Sequence, residues 1–125
     1  MPSFKNNNYR KNKYGNHKVE YDGIKFDSKK ELRRYLELKA MQENGDITDL
    51  EVHRSFQLIV PGLGAIKYRG LKRTTIARFV PDFVYKERGT LVVEDVKSPA
   101  TAKEKYFRLK KAVFELIYDT EVRIT

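Results

Sequence analysis

Two acidic residues and a lysine, Asp82, Asp95 and Lys97, interrupt a stretch that otherwise has the composition of buried β-strands. This stretch, residues 76–98, consists of two runs of β-branched and aromatic residues on either side of Arg88-Gly89, which is its only turn signal. Such a pattern predicts a β-hairpin. A two-residue loop at Arg88-Gly89 places Asp82 directly opposite Asp95 on the neighbouring strand.

The opposition of Asp82 and Asp95 indicates a cation site. Directly opposed side chains have Cβ atoms about 4.5 to 5.5 Å apart, and two carboxylates at that distance repel each other unless a cation lies between them. Lys97 is two residues beyond Asp95, on the same face of the strand, so its ammonium group reaches the same cluster. Because arginine is not favoured at a left-handed turn position, a bulge at Arg88 that shifts the register by one is the alternative.

The order of these residues, Pro81-Asp82 followed by Asp95-Val96-Lys97, resembles the PD-(D/E)XK nuclease superfamily, which carries Pro-Asp on one strand and acidic-x-Lys on the next. From about residue 18 to the C-terminus, the chain is also similar to a family of small uncharacterised phage proteins placed in that superfamily and to TnsA-type transposon endonucleases. The resemblance implies that Asp82 and Asp95 are metal ligands and that Lys97 is the catalytic lysine. It also implies that Glu31 is the helical acidic residue of many members.

The activity implied by the resemblance is metal-dependent hydrolysis of DNA phosphodiester bonds by a phage-encoded endonuclease that acts in recombination, repair or processing. Mg²⁺ or Mn²⁺ would be held by Asp82, Asp95 and the backbone carbonyl of Val96, and Glu31 would hold a second ion directly or through water. The alternative is a nucleic-acid-binding or assembly module that has the nuclease fold without turnover. The sequence leaves open which DNA structure is cleaved and whether the active unit is a homodimer.

The charge of the chain favours a polyanionic partner. Its 125 residues include 26 Lys and Arg against 17 Asp and Glu, which gives a formal net charge of +9. DNA is therefore the expected partner. A basic RNA-associated protein would have the same charge, but the sequence contains no RNA-reading aromatic motif.

Other features of the composition exclude several classes of site. No apolar run approaches the roughly 20 residues that span a bilayer, so a membrane partner is not expected. The absence of cysteine excludes thiolate metal sites, and the two histidines, His17 and His53, are too far apart in sequence to suggest a structural zinc site. The expected compartment is the cytoplasm, which for a phage protein is that of the host.

The N-terminal part of the chain contains three predicted segments. Residues 1–16 carry basic side chains and no acidic ones, and are predicted to be a flexible tail, either a DNA-grasping arm or a solvated terminus. Residues 18–26 predict a β-ribbon around an Asp-Gly turn. A helix is predicted from Ser28, its N-cap, to about Asn44-Gly45. Glu31, in the first turn, either completes a capping box with Ser28 or is a carboxylate of the site.

The segment between this helix and Asp82 is predicted to be a strand followed by a basic ribbon. Residues 47–60 alternate apolar and polar side chains, which predicts the first core strand. The basic residues that follow are candidates for contact with phosphate groups, with a solvated edge strand as the alternative. These candidates are Lys67, Arg69, Lys72, Arg73 and Arg78.

The C-terminal part of the chain predicts a second helix and a last strand. Thr101 and Glu104 predict a capping box at the start of a helix that ends at about Tyr118. Lys103 and Lys105 are further candidates for DNA contact. Residues 121–125 predict a strand parallel to the Asp95 strand. The apolar stripe that is predicted to join the core consists of Tyr106, Leu109, Val113, Leu116 and Ile117.

The order helix, strand, strand, strand, helix, strand predicts an α/β fold for a single nuclease-like domain over residues 17–125. It is also the order of the restriction-endonuclease-like αβββαβ core of the PD-(D/E)XK superfamily. The expected architecture is therefore a mixed four-stranded sheet flanked by helices, with an N-terminal β-ribbon added. Strand parity places Glu94 on the opposite face from Asp95, so Glu94 is predicted to be structural.

Overall fold

The computed structural model describes residues 18–59 and 75–125. The prediction of a basic tail over residues 1–16 lies outside these ranges. The elements, in chain order, are β1 (Val19–Tyr21), β2 (Ile24–Phe26), α1 (Lys29–Glu43), β3 (Thr48–Val52), β4 (Phe56–Ile59), β5 (Thr75–Phe79), β6 (Phe83–Glu87), β7 (Thr90–Asp95), α2 (Pro99–Ala102), α3 (Lys105–Tyr118) and β8 (Val122–Ile124).

The central sheet has four strands in the order β3-β6-β7-β8. β6 pairs antiparallel with both β3 and β7, and β8 pairs parallel with β7, so the sheet is mixed. Two ribbons accompany the sheet, β1 with β2 at the N-terminus and β4 with β5 between β3 and β6. The prediction of a mixed four-stranded α/β fold with an N-terminal ribbon is confirmed.

The hairpin of β6 and β7 has the register that its turn predicts. Tyr85 pairs with Val92, and Glu87 pairs with Thr90 at the loop. Arg88 (φ 54°) and Gly89 (φ 78°) both occupy the left-handed region, as the two central residues of a type I′ turn must. Arg88 therefore adopts a conformation that is unfavourable for arginine. The pairing of β6 with β7 has no bulge, so the alternative register, shifted by one residue, does not occur.

Both faces of the hairpin are buried, and each contacts a different helix. Phe83 and Tyr85 belong to the core cluster that contains Tyr35 of α1. Val84, on the opposite face of β6, belongs to the cluster that contains Phe114 of α3. The helices thus lie on opposite sides of the sheet, and the ends of β6 and β7 are fixed from both sides.

The prediction of one continuous strand over residues 47–60 is wrong. The chain forms β3 and β4 instead, and His53, between them, has a φ of 58°. Residues 53–55 lie outside both strands, and the chain changes direction at the left-handed His53, so β4 pairs with β5 outside the central sheet. The interruption places His53 at the end of β3.

The predicted start of the second helix is also wrong, because Thr101 and Glu104 do not form one capping box. Ser98 caps the short helix α2 and accepts the Thr101 N–H at 3.2 Å. Glu104 is itself the N-cap of α3 and accepts the Phe107 N–H at 2.7 Å. The chain therefore makes two caps where the sequence predicted one.

The core face of α3 differs from the predicted stripe. Phe114 is fully buried in the cluster, and Phe107, Val113 and Ile117 are partly buried against it. Three members of the predicted stripe are exposed instead: Tyr106 (61% exposed), Leu109 (60%) and Leu116 (84%). The prediction of a helix with an apolar face was correct, but the face of α3 that packs against β4 and β5 is the one that contains Phe107 and Phe114.

Candidate metal centre

Asp82 and Asp95 meet where the paired part of the hairpin ends. Asp82 immediately precedes β6, and Asp95 is the last residue of β7. The Asp82 N–H donates to Oδ1 of Asp95 at 3.3 Å, and Oδ2 of Asp82 accepts the Val96 N–H at 2.7 Å. Each carboxylate thus binds a backbone amide of the other strand. The contact continues the predicted pairing one step beyond Phe83 and Glu94.

Lys97 lies beside Asp95, as strand parity predicts. Its Nζ is 3.6 Å from Oδ2 of Asp95 and 4.7 Å from the centroid of the Phe107 ring in α3. Its backbone N–H donates to the carbonyl of Thr125, and the Thr125 N–H donates to the carbonyl of Asp95. The last residue of the chain therefore holds the backbone on both sides of Val96.

The backbone of Val96 is oriented toward the carboxylates. Thr125 occupies the Asp95 carbonyl and the Lys97 N–H, whereas the Val96 N–H binds Asp82 on the other edge of the strand. In an extended chain the N–H and the C=O of one residue point to the same edge. The Val96 carbonyl is therefore directed to the Asp82 side, where the sequence analysis places it as a ligand.

Glu31 reaches the same cluster from the N-terminus of α1. The Ser28 hydroxyl caps the helix by accepting the Glu31 N–H at 3.1 Å. The Glu31 side chain is only 5% exposed, and its Oε1 is 3.1 Å from Nε2 of His53. Ser28 thus fulfils the capping part of the prediction, while the Glu31 carboxylate lies in the site.

His53 is a site residue that the sequence analysis missed. The conformation that ends β3 lets its backbone N–H donate to the Asp82 carbonyl at 3.1 Å, and its ring meets Glu31. One ligand atom each from Glu31, His53 and Asp82 lie within 4.8 Å of one another. The polar residues His53-Arg54-Ser55, which lie between two strand-like segments, indicate a break in the strand. The number of residues between His53 and Asp82 gives no indication that the two side chains share a site.

Burial resists the ionisation of two carboxylates of the cluster, those of Glu31 and Asp95. Burial raises the pKa of Glu31 above its ordinary value, and the nearby Asp82 carboxylate raises it further. Burial also raises the pKa of Asp95; Asp82 adds to that shift, and the Lys97 ammonium opposes it. A cation bound among these groups would offset both burial and repulsion.

Three lysines surround the acidic cluster. A cavity of about 340 Å³ is lined by Lys18, Lys30 and Lys97 together with Glu31, Asp82 and Val96. The Lys30 ammonium donates to the Lys97 carbonyl at 3.0 Å. Lys18 and Lys30 were not among the predicted site residues, because they come from the N-terminal ribbon and the first turn of α1. The cavity combines acidic ligands with cations, an arrangement that suits a metal ion and a phosphate group together.

The donor set suits a hard divalent cation. Carboxylate oxygens, a backbone carbonyl and one imidazole are ligands of Mg²⁺ or Mn²⁺, and the imidazole is the more typical of Mn²⁺. Ligand atoms about 2.1 Å from one ion lie about 3.0 to 4.2 Å apart, so a small rotation of the side chains closes the observed spacing. Asp82 belongs to two possible groups of metal ligands. The predicted group joins it with Asp95 and the Val96 carbonyl, and the second group joins it with Glu31 and His53.

Three of the predicted DNA-contacting residues, Arg78, Lys103 and Lys105, lie within the described part of the chain. Arg78 is exposed on β5, and Nη1 of Arg78 is 3.5 Å from the Ser55 hydroxyl. Lys103 and Lys105 are exposed at the junction of α2 and α3. The remaining candidates, Lys67, Arg69, Lys72 and Arg73, lie outside the described residues.

Glu94 belongs to a separate network on the opposite face of the sheet, as parity predicts. It is fully buried, accepts two hydrogen bonds from the Arg34 guanidinium, and accepts the Tyr85 hydroxyl. The hydrogen bonds to Glu94 raise the pKa of Arg34. Burial raises the pKa of Tyr85 to about 12, so its hydroxyl stays a donor. Glu94 therefore connects β7 to α1.

Comparison with known proteins bears on family membership. A family model described as "Protein of unknown function (DUF1064)" matches residues 11–125. The chain belongs to the DUF1064 family. No curated protein and no solved structure matches the chain. Among residues 18–59 and 75–125, no helix is long and apolar enough to cross a bilayer.

We expect Asp82→Asn to leave the metal-free protein as stable as the wild type or more stable, whereas Asp82→Ala destabilises it. Asparagine keeps an oxygen that accepts the Val96 N–H and removes one of the repelling charges. Alanine leaves that amide without its acceptor, at a cost of about 1–3 kcal/mol. Chemical denaturation in EDTA measures both effects, and Asp95→Asn should behave like Asp82→Asn. Equal destabilisation by asparagine and alanine would contradict this.

Raising the pH should destabilise the metal-free wild type relative to Glu31→Gln. Because the pKa of Glu31 is raised in the folded state, the folded protein retains a proton that the unfolded chain loses above its ordinary pKa of 4.5. The stabilisation is thus complete at low pH and decreases as the pH rises toward the raised value. Denaturation of both proteins in EDTA from about pH 5 to about pH 9 measures the difference. Parallel stability curves would contradict the raised pKa.

Proposed function

We propose that the protein is a metal-dependent DNA endonuclease that hydrolyses phosphodiester bonds. The observation that carries the proposal is the meeting of Asp82, Asp95 and Lys97 at one end of the hairpin, with the Glu31 carboxylate brought beside Asp82 by α1. Glu31 and Asp95, both nearly buried, each lie beside the nearly buried Asp82, and a purely structural role would not explain the cost of burying three carboxylates together. Groups with raised pKa values in a cavity are typical of functional sites.

The proposed roles follow from the contacts of each residue. Asp82, Asp95 and the Val96 carbonyl would hold Mg²⁺ or Mn²⁺, and Glu31 with His53 would complete the shell or hold a second ion. The bound ion would lower the pKa of a water molecule and polarise the scissile phosphate. Lys97 is held between Asp95 and Phe107, where it orients the attacking water or stabilises the negative charge of the phosphate in the transition state.

Membership of the PD-(D/E)XK superfamily is part of the proposal. In its support, the elements α1, β3, β6, β7, α3 and β8 follow the αβββαβ order, and the β4-β5 ribbon is an insertion between the first two core strands. The motif Pro81-Asp82 and the motif Asp95-Val96-Lys97 stand at adjacent strand ends. The proposed activity acts in DNA recombination, repair or processing, and the resemblance of the motifs to phage proteins and TnsA-type endonucleases supports this part of the proposal.

DNA is the proposed substrate because several lysines lie in or near the cavity at the acidic cluster. Lys18 and Lys30 line it, and Lys103 and Lys105 are exposed at the nearby start of α3. Each lysine or arginine that neutralises a phosphate releases counterions, so binding should weaken steeply with salt. These contacts read the backbone of DNA and not its bases. Arg78, exposed on β5, is a further candidate for contact with a phosphate.

Cleavage tests the proposal directly. We expect the wild type to cut DNA when Mg²⁺ or Mn²⁺ is added and not in EDTA. Asp82→Asn and Asp95→Asn should lose both metal binding and cleavage, since an amide is an uncharged and poorer ligand. Lys97→Ala should keep metal binding, measured by calorimetric titration, and lose cleavage about 100-fold or more.

Lys86→Ala is the matched control, because Lys86 is an exposed lysine near the loop end of the same hairpin. It should cleave like the wild type. If all three site variants cleave like Lys86→Ala, these residues do not form the active site and the proposal is wrong. If the wild type itself does not cleave with either metal ion, the alternative of a nucleic-acid-binding or assembly module with a nuclease fold applies.

A further inference from the structure

A second cavity adjoins the acidic cluster on the α3 side. It has a volume of about 330 Å³, and β5, the loop after it, and α3 form most of its walls. Asp95 and Lys97 line it at one end, so the two cavities meet at Lys97. The rest of its lining includes Val80, Tyr106, Phe107 and Lys110. One side of the cluster is thus polar and the other is largely aromatic and apolar.

Tyr106 is the prominent side chain of this second cavity. It is 61% exposed, although it is aromatic and on the helix that covers the sheet. The Lys110 ammonium lies over its ring, 5.2 Å from the centroid. Val80, on the opposite wall, is 47% exposed. An exposed aromatic ring with a cation over one face can stack a nucleobase on its other face, and the cation can attract the phosphate.

Two acidic residues, Glu104 and Asp95, also line this cavity, and both are engaged within the protein. The Glu104 carboxylate is engaged as the N-cap of α3, where it accepts the Phe107 N–H. Asp95 is buried and belongs to the acidic cluster. The two ammonium groups that line this cavity, of Lys97 and Lys110, are the groups that attract a phosphate.

The geometry limits which kind of DNA fits. A phosphate at Lys97 would be next to the acidic cluster, and the base of the same or the adjacent nucleotide would be directed toward Tyr106. A base inside a duplex is stacked on both faces and cannot enter a cavity without leaving the helix, which costs a few kcal/mol. An unpaired base enters without that cost. The volume is at the small end for ligand sites, which suits one base.

We propose that the cavity between Tyr106 and Val80 binds one unpaired nucleobase, and that the substrate of the neighbouring cluster is therefore DNA with single-stranded character beside the scissile phosphate. The statement about the cleaved substrate rests on the proposed nuclease function, whereas the binding of an unpaired base to this cavity does not. Tyr106 is a specificity-determining residue in this account, since it selects the strand geometry and not the sequence.

Binding in EDTA tests the inference without cleavage. The probes are a short single strand that carries 2-aminopurine and the same strand in a duplex, at one fixed salt concentration. The wild type should prefer the single strand, and 2-aminopurine fluorescence should change on binding. Tyr106→Ala should weaken single-strand binding about 5-fold or more and change duplex binding less than about 2-fold. Tyr106→Phe should restore the wild-type affinity.

Leu109→Ala is the matched control, because Leu109 is equally exposed on the same helix and does not line the cavity. It should bind both probes like the wild type. Equal losses on the single strand and the duplex, an equal loss for Leu109→Ala, or no binding to either probe would overturn the inference.

Cleavage measured separately distinguishes this inference from the proposed function. A Tyr106-dependent preference for single strands without metal-dependent cleavage would support the base site and reject the nuclease. Metal-dependent cleavage of an intact duplex that is unaffected by Tyr106→Ala would support the nuclease and reject the base site.

Discussion

The hydrogen bonds that the Asp82 and Asp95 carboxylates accept from backbone amides, of Val96 and Asp82 respectively, are the constraint on which the site depends. Each carboxylate is held by a backbone amide of the opposite strand segment, so the two groups remain close although both are nearly buried. The hairpin register fixes these bonds, and the register is fixed in turn by the left-handed pair Arg88-Gly89 at the other end. The pairing of β6 and β7 therefore holds both the left-handed Arg88 at the turn and the two neighbouring carboxylates at the other end of the hairpin.

Other elements add further ligand candidates to the pair of Asp82 and Asp95. The strand break at His53 brings an imidazole to the Asp82 backbone, and the N-terminus of α1 adds the Glu31 carboxylate. On the opposite face, the network of Glu94, Arg34 and Tyr85 connects α1 to the hairpin, which holds the helix that carries Glu31 in place. The same helix is thus anchored by a structural ion pair and contributes a residue to the candidate site.

Local rules in the sequence predict part of the site well. The turn at Arg88-Gly89 and the period of two along a strand place Asp82, Asp95 and Lys97 correctly, because those positions depend on nearby residues alone. His53 could not be predicted in the same way, since its position depends on where β3 leaves the sheet. The face of α3 was missed for a similar reason: Tyr106 has the helical spacing of a core residue, and only packing against β4 and β5 decides that Phe114 is buried instead.

The central claim is that the cluster binds a divalent cation through Asp82. The most direct measurement is a crystal structure of the protein with Mn²⁺, with an anomalous difference map collected at a wavelength where manganese scatters anomalously. The account predicts a peak bonded to carboxylate oxygens of Asp82 and Asp95 and to the Val96 carbonyl, or a pair of peaks that also includes Glu31 and His53. A crystal with manganese bound elsewhere and no peak within the cluster would contradict it.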